Sequence, residues 1–253
     1  MPEYFVEPDS LVRKIWGRTD SVLLIFAASA AEFSLNNAVD WLFFTGKIPA
    51  KPIARMMSTV EYAWHILFSE EKTALATIKA VRQIHGGVEN ARKMNIPDAA
   101  YRDILNMLID YSIKSHELIH GAISDAEKAE VFTAFKRFGT EMGIPGIPDT
   151  YFRWELERAQ TLKSNFSRST YTVKLQESYR KNLGELRHWI LVEIQKMMLD
   201  PKLLSMLQLT NKSWLRMPIG VYTLIKNSKV ALWLIMQVIP KEFQKNLKQI
   251  NKY

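Results

Sequence analysis

A chain of 253 residues with a formal net charge of +8 is long enough to bury one substantial core or two small ones. Ten glycines and ten prolines are too few for a sandwich or barrel built on many turns. The absence of cysteine removes disulfides, thiolate-bound zinc, iron–sulfur clusters and cysteine nucleophiles together, and agrees with a cytoplasmic chain.

The apolar periodicity is helical almost throughout, which predicts an all-α fold. The expected organisation is one domain, with a globin-like helical core over residues 1–200 and basic amphipathic helices over 201–253 packed on or next to it. Asp9 and Ser10 cap a short helix ending near Gly17, and Thr19 or Asp20 caps a long one running toward Gly46. A Pro49–Pro52 turn opens a helix through Arg55, Thr59, Tyr62 and Leu67. Ser69, Glu70 and Glu71 start the next, in which Leu75, Ile78, Val81, His85 and Val88 share a face until Gly86-Gly87 interrupts or loosens it. Pro97-Asp98 opens a helix to about His120, and Ser124 with Glu127 forms a capping box for one ending at Gly143. Helices over 149–164 and 171–199 follow, joined by SNFSRST, and Pro201, Pro218 and Pro240 punctuate the rest.

The charge is unevenly placed. From Pro201 onward nine basic residues accompany one acid, Glu242, so the first 200 residues are neutral overall. Interleaved with Trp214, Leu215, Val221, Leu224 and Trp233, this pattern suits peripheral contact with an anionic membrane. Its plainer reading is a solvated basic face. Nucleic-acid binding is not expected, because the basic residues alternate with large aliphatic ones. The apolar run 22–35 is shorter than the roughly 20 residues a membrane span needs, and Lys226 and Lys229 interrupt 217–240. Met1-Pro2-Glu3-Tyr4 lacks the basic-then-apolar pattern of a signal peptide.

Two groups of residues could carry chemistry. His116-Glu117-Leu118-Ile119-His120 is an HExxH, which on a helix brings two histidines to one zinc ion with the glutamate activating water. It lacks the metzincin continuation, and Glu141, a distant candidate third ligand, lies on the next helix. The second group is Arg55 and Thr59, four apart on one helix face, followed by His85 on the apolar face of the next helix. A lone histidine at such a place is usually a hydrogen-bonded core residue, though a nitrogen ligand in a cysteine-free helical chain is compatible with haem.

The segment IARMMSTVEYAWHILFSEEKTALATIKAVRQIHGGVENAR resembles the core of the haem-dependent oxygenase family that contains MpaB and latex-clearing rubber oxygenase. There an arginine and a threonine four residues later precede an aVRxxHxxV stretch whose histidine binds haem iron. Arg55, Thr59 and Val81-Arg82-Gln83-Ile84-His85 stand at those positions. AASAAEFSLNNAVDW, LIDYSIKSHEL and SWLRMPIGVYTLI also resemble family blocks, so the likeness runs from about residue 10 to 235. Latex-clearing proteins carry a lysine just before that threonine, where this chain has Ser58. Many members have a histidine where Leu105 or Asn106 stands here.

The resemblance implies a haem b oxygenase with His85 as the iron ligand and Arg55 and Thr59 as catalytic and cofactor-binding residues. With Ser58 in place of the lysine, the distal side would be open or water-ligated. Dioxygen and an apolar, isoprenoid-like substrate would be the partners, and oxidative cleavage of a C=C bond the reaction. The alternatives are a haem- or lipid-binding protein without turnover and a zinc hydrolase using His116, Glu117 and His120.

Overall fold

Short polar side chains and prolines start most of the helices, and the computed structural model, which describes residues 3–44, 50–241, 243 and 244, places them accordingly. The Ser10 hydroxyl accepts from the Arg13 N–H and opens α1 (Leu11–Trp16). α2 (Thr19–Leu35) and the short α3 (Asp40–Phe44) follow. Pro52 occupies the first turn of α4 (Pro52–Phe68), and α5 (Glu71–Arg92) returns beside it. α6 (Asp98–His120) leads to α7 (Asp125–Glu141), whose Ser124–Glu127 capping box is complete. α8 (Tyr151–Ser164), α9 (Thr170–Leu183), α10 (Glu185–Met198), α11 (Pro201–Met206), α12 (Arg216–Ile225) and α13 (Lys229–Val238) complete the order. The fold is all-α, and its β-pairing among the described residues is confined to isolated bridges at Tyr4–Glu70 and Asn36–Phe166.

α2 is apolar on nearly every side, and a helix of that kind must be surrounded. It packs mainly on α6 and α10, with α1, α9 and α11 closing around it, and Ala27, Ala28, Ala30 and Ala31 bring those neighbours near. One apolar core runs from Phe5 through Trp16, Ile25 and Tyr111 to Leu203, Leu204, Met236 and Ile239. The α4–α5 hairpin lies at its side, packed on itself, with α1 and α9 touching α4 and α7 touching α5. α5 buries only Ala74 and Ile78, while Leu75, Val81, His85 and Val88 of the predicted face are half-buried.

Three boundaries differ from the sequence reading. α2 stops at Leu35, well before Gly46 (outside the described residues), because Asn36 turns its side chain back on the backbone and accepts from the Ala38 N–H at 2.8 Å. Gly86-Gly87 does not interrupt α5, which continues to Arg92 with Lys93 left-handed at its end. The cost of two glycines, about 1 kcal/mol each against alanine, is outweighed by packing on both sides of them. The helix expected over 171–199 is broken at Gly184, whose φ of +74° lets the chain turn between α9 and α10.

Candidate active site

The register of the α4–α5 hairpin decides which residues meet. The two helices are antiparallel across Ser69-Glu70, so Arg55, fourteen residues before Ser69, stands opposite the stretch holding His85, fifteen after Glu70. The structure thus brings Arg55 and His85 together. Thr59 lies one turn nearer the hairpin bend on Arg55's face of α4. Both Arg55 and Thr59 are exposed, and His85 is half-buried.

Thr59 donates its hydroxyl to the Arg55 carbonyl at 3.2 Å. Ser58 donates to the same carbonyl at 2.8 Å and accepts from Arg55 Nη1 at 3.1 Å. The hydroxyl at the lysine position therefore steadies the Arg55 guanidinium. The aromatic ring of Tyr101, at the start of α6, lies 5.5 Å from the His85 ring. Glu89, one turn past His85, accepts from the Tyr101 hydroxyl at 3.4 Å and from the Ile96 N–H at 2.8 Å. Burial, and then the Arg55 cation, push the His85 imidazole below its usual range, although Glu89 pulls the other way. The Tyr101 phenol is pushed up to about 12 by burial and by Glu89. Sequence reasoning missed both neighbours. Glu89 carried the signal of four-residue spacing from His85, whereas Tyr101 reaches the site only through the α5–α6 turn.

The residues fit a haem ligand set on the chemistry they present. Burial and the Arg55 cation favour the neutral His85 imidazole, the form that binds iron, and its Nδ1 is buried without a hydrogen-bond partner. Beside it, side chains added at Gly86 or Gly87 would meet nothing within 4 Å, so there is room along this edge of α5. Arg55 offers an exposed cation to a carboxylate.

Behind α4 lies an apolar cavity of about 90 Å³. Ala27, Met57, Leu191, Ile239 and Phe243 are among its lining residues, drawn from α2, α4, α10 and the stretch after α13. Ile53 and Met57, which also line it, are about half a turn round α4 from Arg55. α4 thus separates an apolar cavity from a polar face.

The HExxH segment is arranged differently. The His116 and His120 rings stack at 4.6 Å and 17°, leaving His116 Nδ1 and His120 Nε2 buried without partners. Burial lowers both imidazoles, His120 to about 4, with its stacked neighbour and the cations Arg18 and Lys226 adding to the effect. Glu117 pairs with Lys128 at 3.4 Å. Glu141 sits at the opposite end of α7, about 24 Å along the helix from the α6–α7 turn. Among the described residues no group of three or more His, Asp or Glu side chains could hold a metal ion, so zinc would lack its third protein ligand.

The family blocks distant from His85 form a buried polar network. Arg158 of α8 holds Glu32 of α2 through two hydrogen bonds of 2.7 and 2.6 Å and reaches Asp110 of α6 at 3.0 Å. Tyr111 donates to Glu32, and Lys114 to Asp110 at 3.0 Å. Burial opposes ionisation of Asp110, but Lys114 and Arg158 outweigh it and keep the carboxyl below its usual range. Nearby, Asp103 accepts from Asn36 and Asn165, yet burial pushes its carboxyl up to about 6. The Leu105–Asn106 position serves packing: Leu105 is buried against Gly139, where an added Cβ would lie 2.6 Å from it. Asn106 accepts from the Trp154 indole at 2.7 Å.

No curated protein and no solved structure matches the chain. A family model does, over residues 16–217, which takes in α2 to α11, both family-like hairpin helices and the buried network. The chain accordingly belongs to the family described as ER-bound oxygenase mpaB/B'/rubber oxygenase, catalytic domain, and is an oxygenase of that type.

Proposed function

We propose that the chain is a haem b-dependent oxygenase that cleaves a C=C bond of an apolar, isoprenoid-like substrate, with His85 as iron ligand. The observation that carries this reading is the half-buried His85 with an unpaired Nδ1, set against Arg55 across the hairpin. Bound haem iron supplies the dioxygen chemistry, for which protein side chains have no equivalent.

The chain's own residues set the surroundings. Arg55, fixed by Ser58, would offer its cation to a propionate of a bound haem or to the dioxygen substrate. Thr59 keeps its hydroxyl proton on the Arg55 carbonyl and presents its oxygen lone pairs outward. Tyr101 stands beside the histidine ring, and Glu89 ties Tyr101 to the α5–α6 turn. The rubber oxygenase in the family's description points to an apolar hydrocarbon substrate.

A visible spectrum of the purified protein reconstituted with haemin tests the assignment. A Soret band present in the wild type and in His116→Ala, and lost in His85→Ala, is the expected result. A band unchanged in His85→Ala overturns the ligand assignment. Oxygen consumption with isoprenoid substrates then separates turnover from binding alone.

A further inference from the structure

α12 and α13 present more apolar surface to solvent than a solvated helix pair carries. Met217, Val221 and Leu224, at i, i+4 and i+7 on α12, are 83%, 63% and 84% exposed, and Trp214 and Trp233 are 79% and 60% exposed. α12 buries no residue at all. Contiguous apolar surface of this kind marks a docking face.

The pair is nevertheless held firmly, by its opposite side. The Tyr222 hydroxyl donates to Asp20 at 2.6 Å, and Lys226 Nζ donates to the Ile119 carbonyl at 2.8 Å. Arg18 donates to the Lys226 carbonyl at 3.1 Å and to the Asn227 side chain at 3.0 Å. Burial works against both charges of the Arg18–Asp20 pair, but their mutual hydrogen bonds prevail, keeping Asp20 below and Arg18 above its usual range. The apolar face is thus fixed outward.

Its rim has one sign of charge. Lys212, Arg216 and Lys229 are exposed in the same stretch of chain as the apolar positions, and no acid occurs between residues 201 and 241. A second copy would set cationic rim against cationic rim, at a cost in repulsion. An anionic lipid surface satisfies both the rim and the apolar face. Helices of ten residues are about 15 Å long, half a bilayer's hydrocarbon thickness, so they lie along it. No helix among the described residues is long and apolar enough to cross a membrane.

We infer that α12 and α13 seat the protein on the surface of an anionic bilayer. Met217, Val221, Leu224 and Trp233 enter the boundary between headgroups and acyl chains, and Lys212, Arg216 and Lys229 meet lipid phosphates. The family match covers residues 16–217, and most of this face follows it.

Cosedimentation of the full chain with sucrose-loaded vesicles tests this, with no cofactor needed. Binding to phosphatidylcholine–phosphatidylglycerol vesicles and little to phosphatidylcholine alone is expected. Met217→Asp/Leu224→Asp, at positions open to solvent, should keep its helical circular dichroism and lose at least ~10-fold in partitioning. Lys212→Gln/Lys229→Gln should lose ~10-fold on anionic vesicles only. Failure to bind either vesicle overturns the inference, and equal binding to both overturns its anionic part. A concentration-dependent dimer in sedimentation velocity that Met217→Asp/Leu224→Asp abolishes assigns the face to a second copy instead.

Discussion

Around Arg158 polar groups are buried and matched; around His85 they are left partly unmatched. Glu32 and Asp110 converge on one guanidinium, and each carboxylate takes a further hydrogen bond, from Tyr111 and Lys114 respectively. His85, by contrast, keeps an unpaired Nδ1, with exposed Arg55 near it and two glycines beside it. Both regions are built from family-like blocks, so resemblance alone does not separate scaffold from site. Satisfaction does: a closed network stabilises the fold, and an open one has capacity left for a ligand.

Breaking the closed network should have the largest effect. Arg158→Met strips the cation from Glu32, which has no solvent exposure, and should cost about 3–5 kcal/mol, or roughly 10 °C in Tm. A loss below about 1 kcal/mol in urea unfolding would mean that Glu32 takes up a proton and needs no partner. At the open site the sign should reverse. Gly86→Ala or Gly87→Ala, inside a helix with free space around each, should stabilise the protein without haem by about 0.5–1 kcal/mol. Destabilisation on either substitution would reveal a close neighbour and close the gap between the two regions. His85→Ala should cost only about 0.5 kcal/mol in the same assay, since the side chain is half-buried and makes no completed buried hydrogen bond.

The last effect concerns pH. His120 titrates at about 4 in the fold and near 6.5 in the unfolded chain. The unfolded state therefore binds more protons between those values, and stability is present above pH 6.5 and lost as pH falls toward 4. Tm should decline from pH 7 to pH 5, and His120→Gln should flatten that slope. An unchanged slope would move the origin to other groups.

Local signals carried most of the helix pattern into the sequence. Ser10, Ser124 with Glu127, Pro52 and Pro97-Asp98 act within one helical turn, so their effect is readable without the fold. The boundary at Asn36 depends on Asn36 reaching both Ala38 and, 67 residues away, Asp103. Gly184 looked no different from Gly86 or Gly87 in sequence; packing decided that one turns and the others stay helical. His85 and Arg55 were legible through resemblance and spacing. Arg158 was not, because its partner Glu32 lies 126 residues earlier and only the lone acid in an apolar stretch hinted at it. The HExxH segment was the plainer motif and already lacked a third ligand in the sequence, since one turn of helix supplies two histidines and no more.

The bend between α4 and α5 acts as an indexing pin. Glu71 donates its N–H to the Glu3 carbonyl at 2.9 Å, Tyr4 pairs with Glu70, and Arg137 bridges the Phe5 carbonyl and Glu71. The phase of α5 relative to α4 is therefore set by the first residues of the chain. One residue inserted within α5, between Glu71 and His85, would advance His85 by about 100° relative to the pinned start and carry it off the side that faces Arg55. Four inserted residues would restore the angle to within about 40° but slide the histidine roughly 6 Å along the axis. The spacing between Arg55 and His85 thus behaves as a tooth count, tolerant of substitution and intolerant of length.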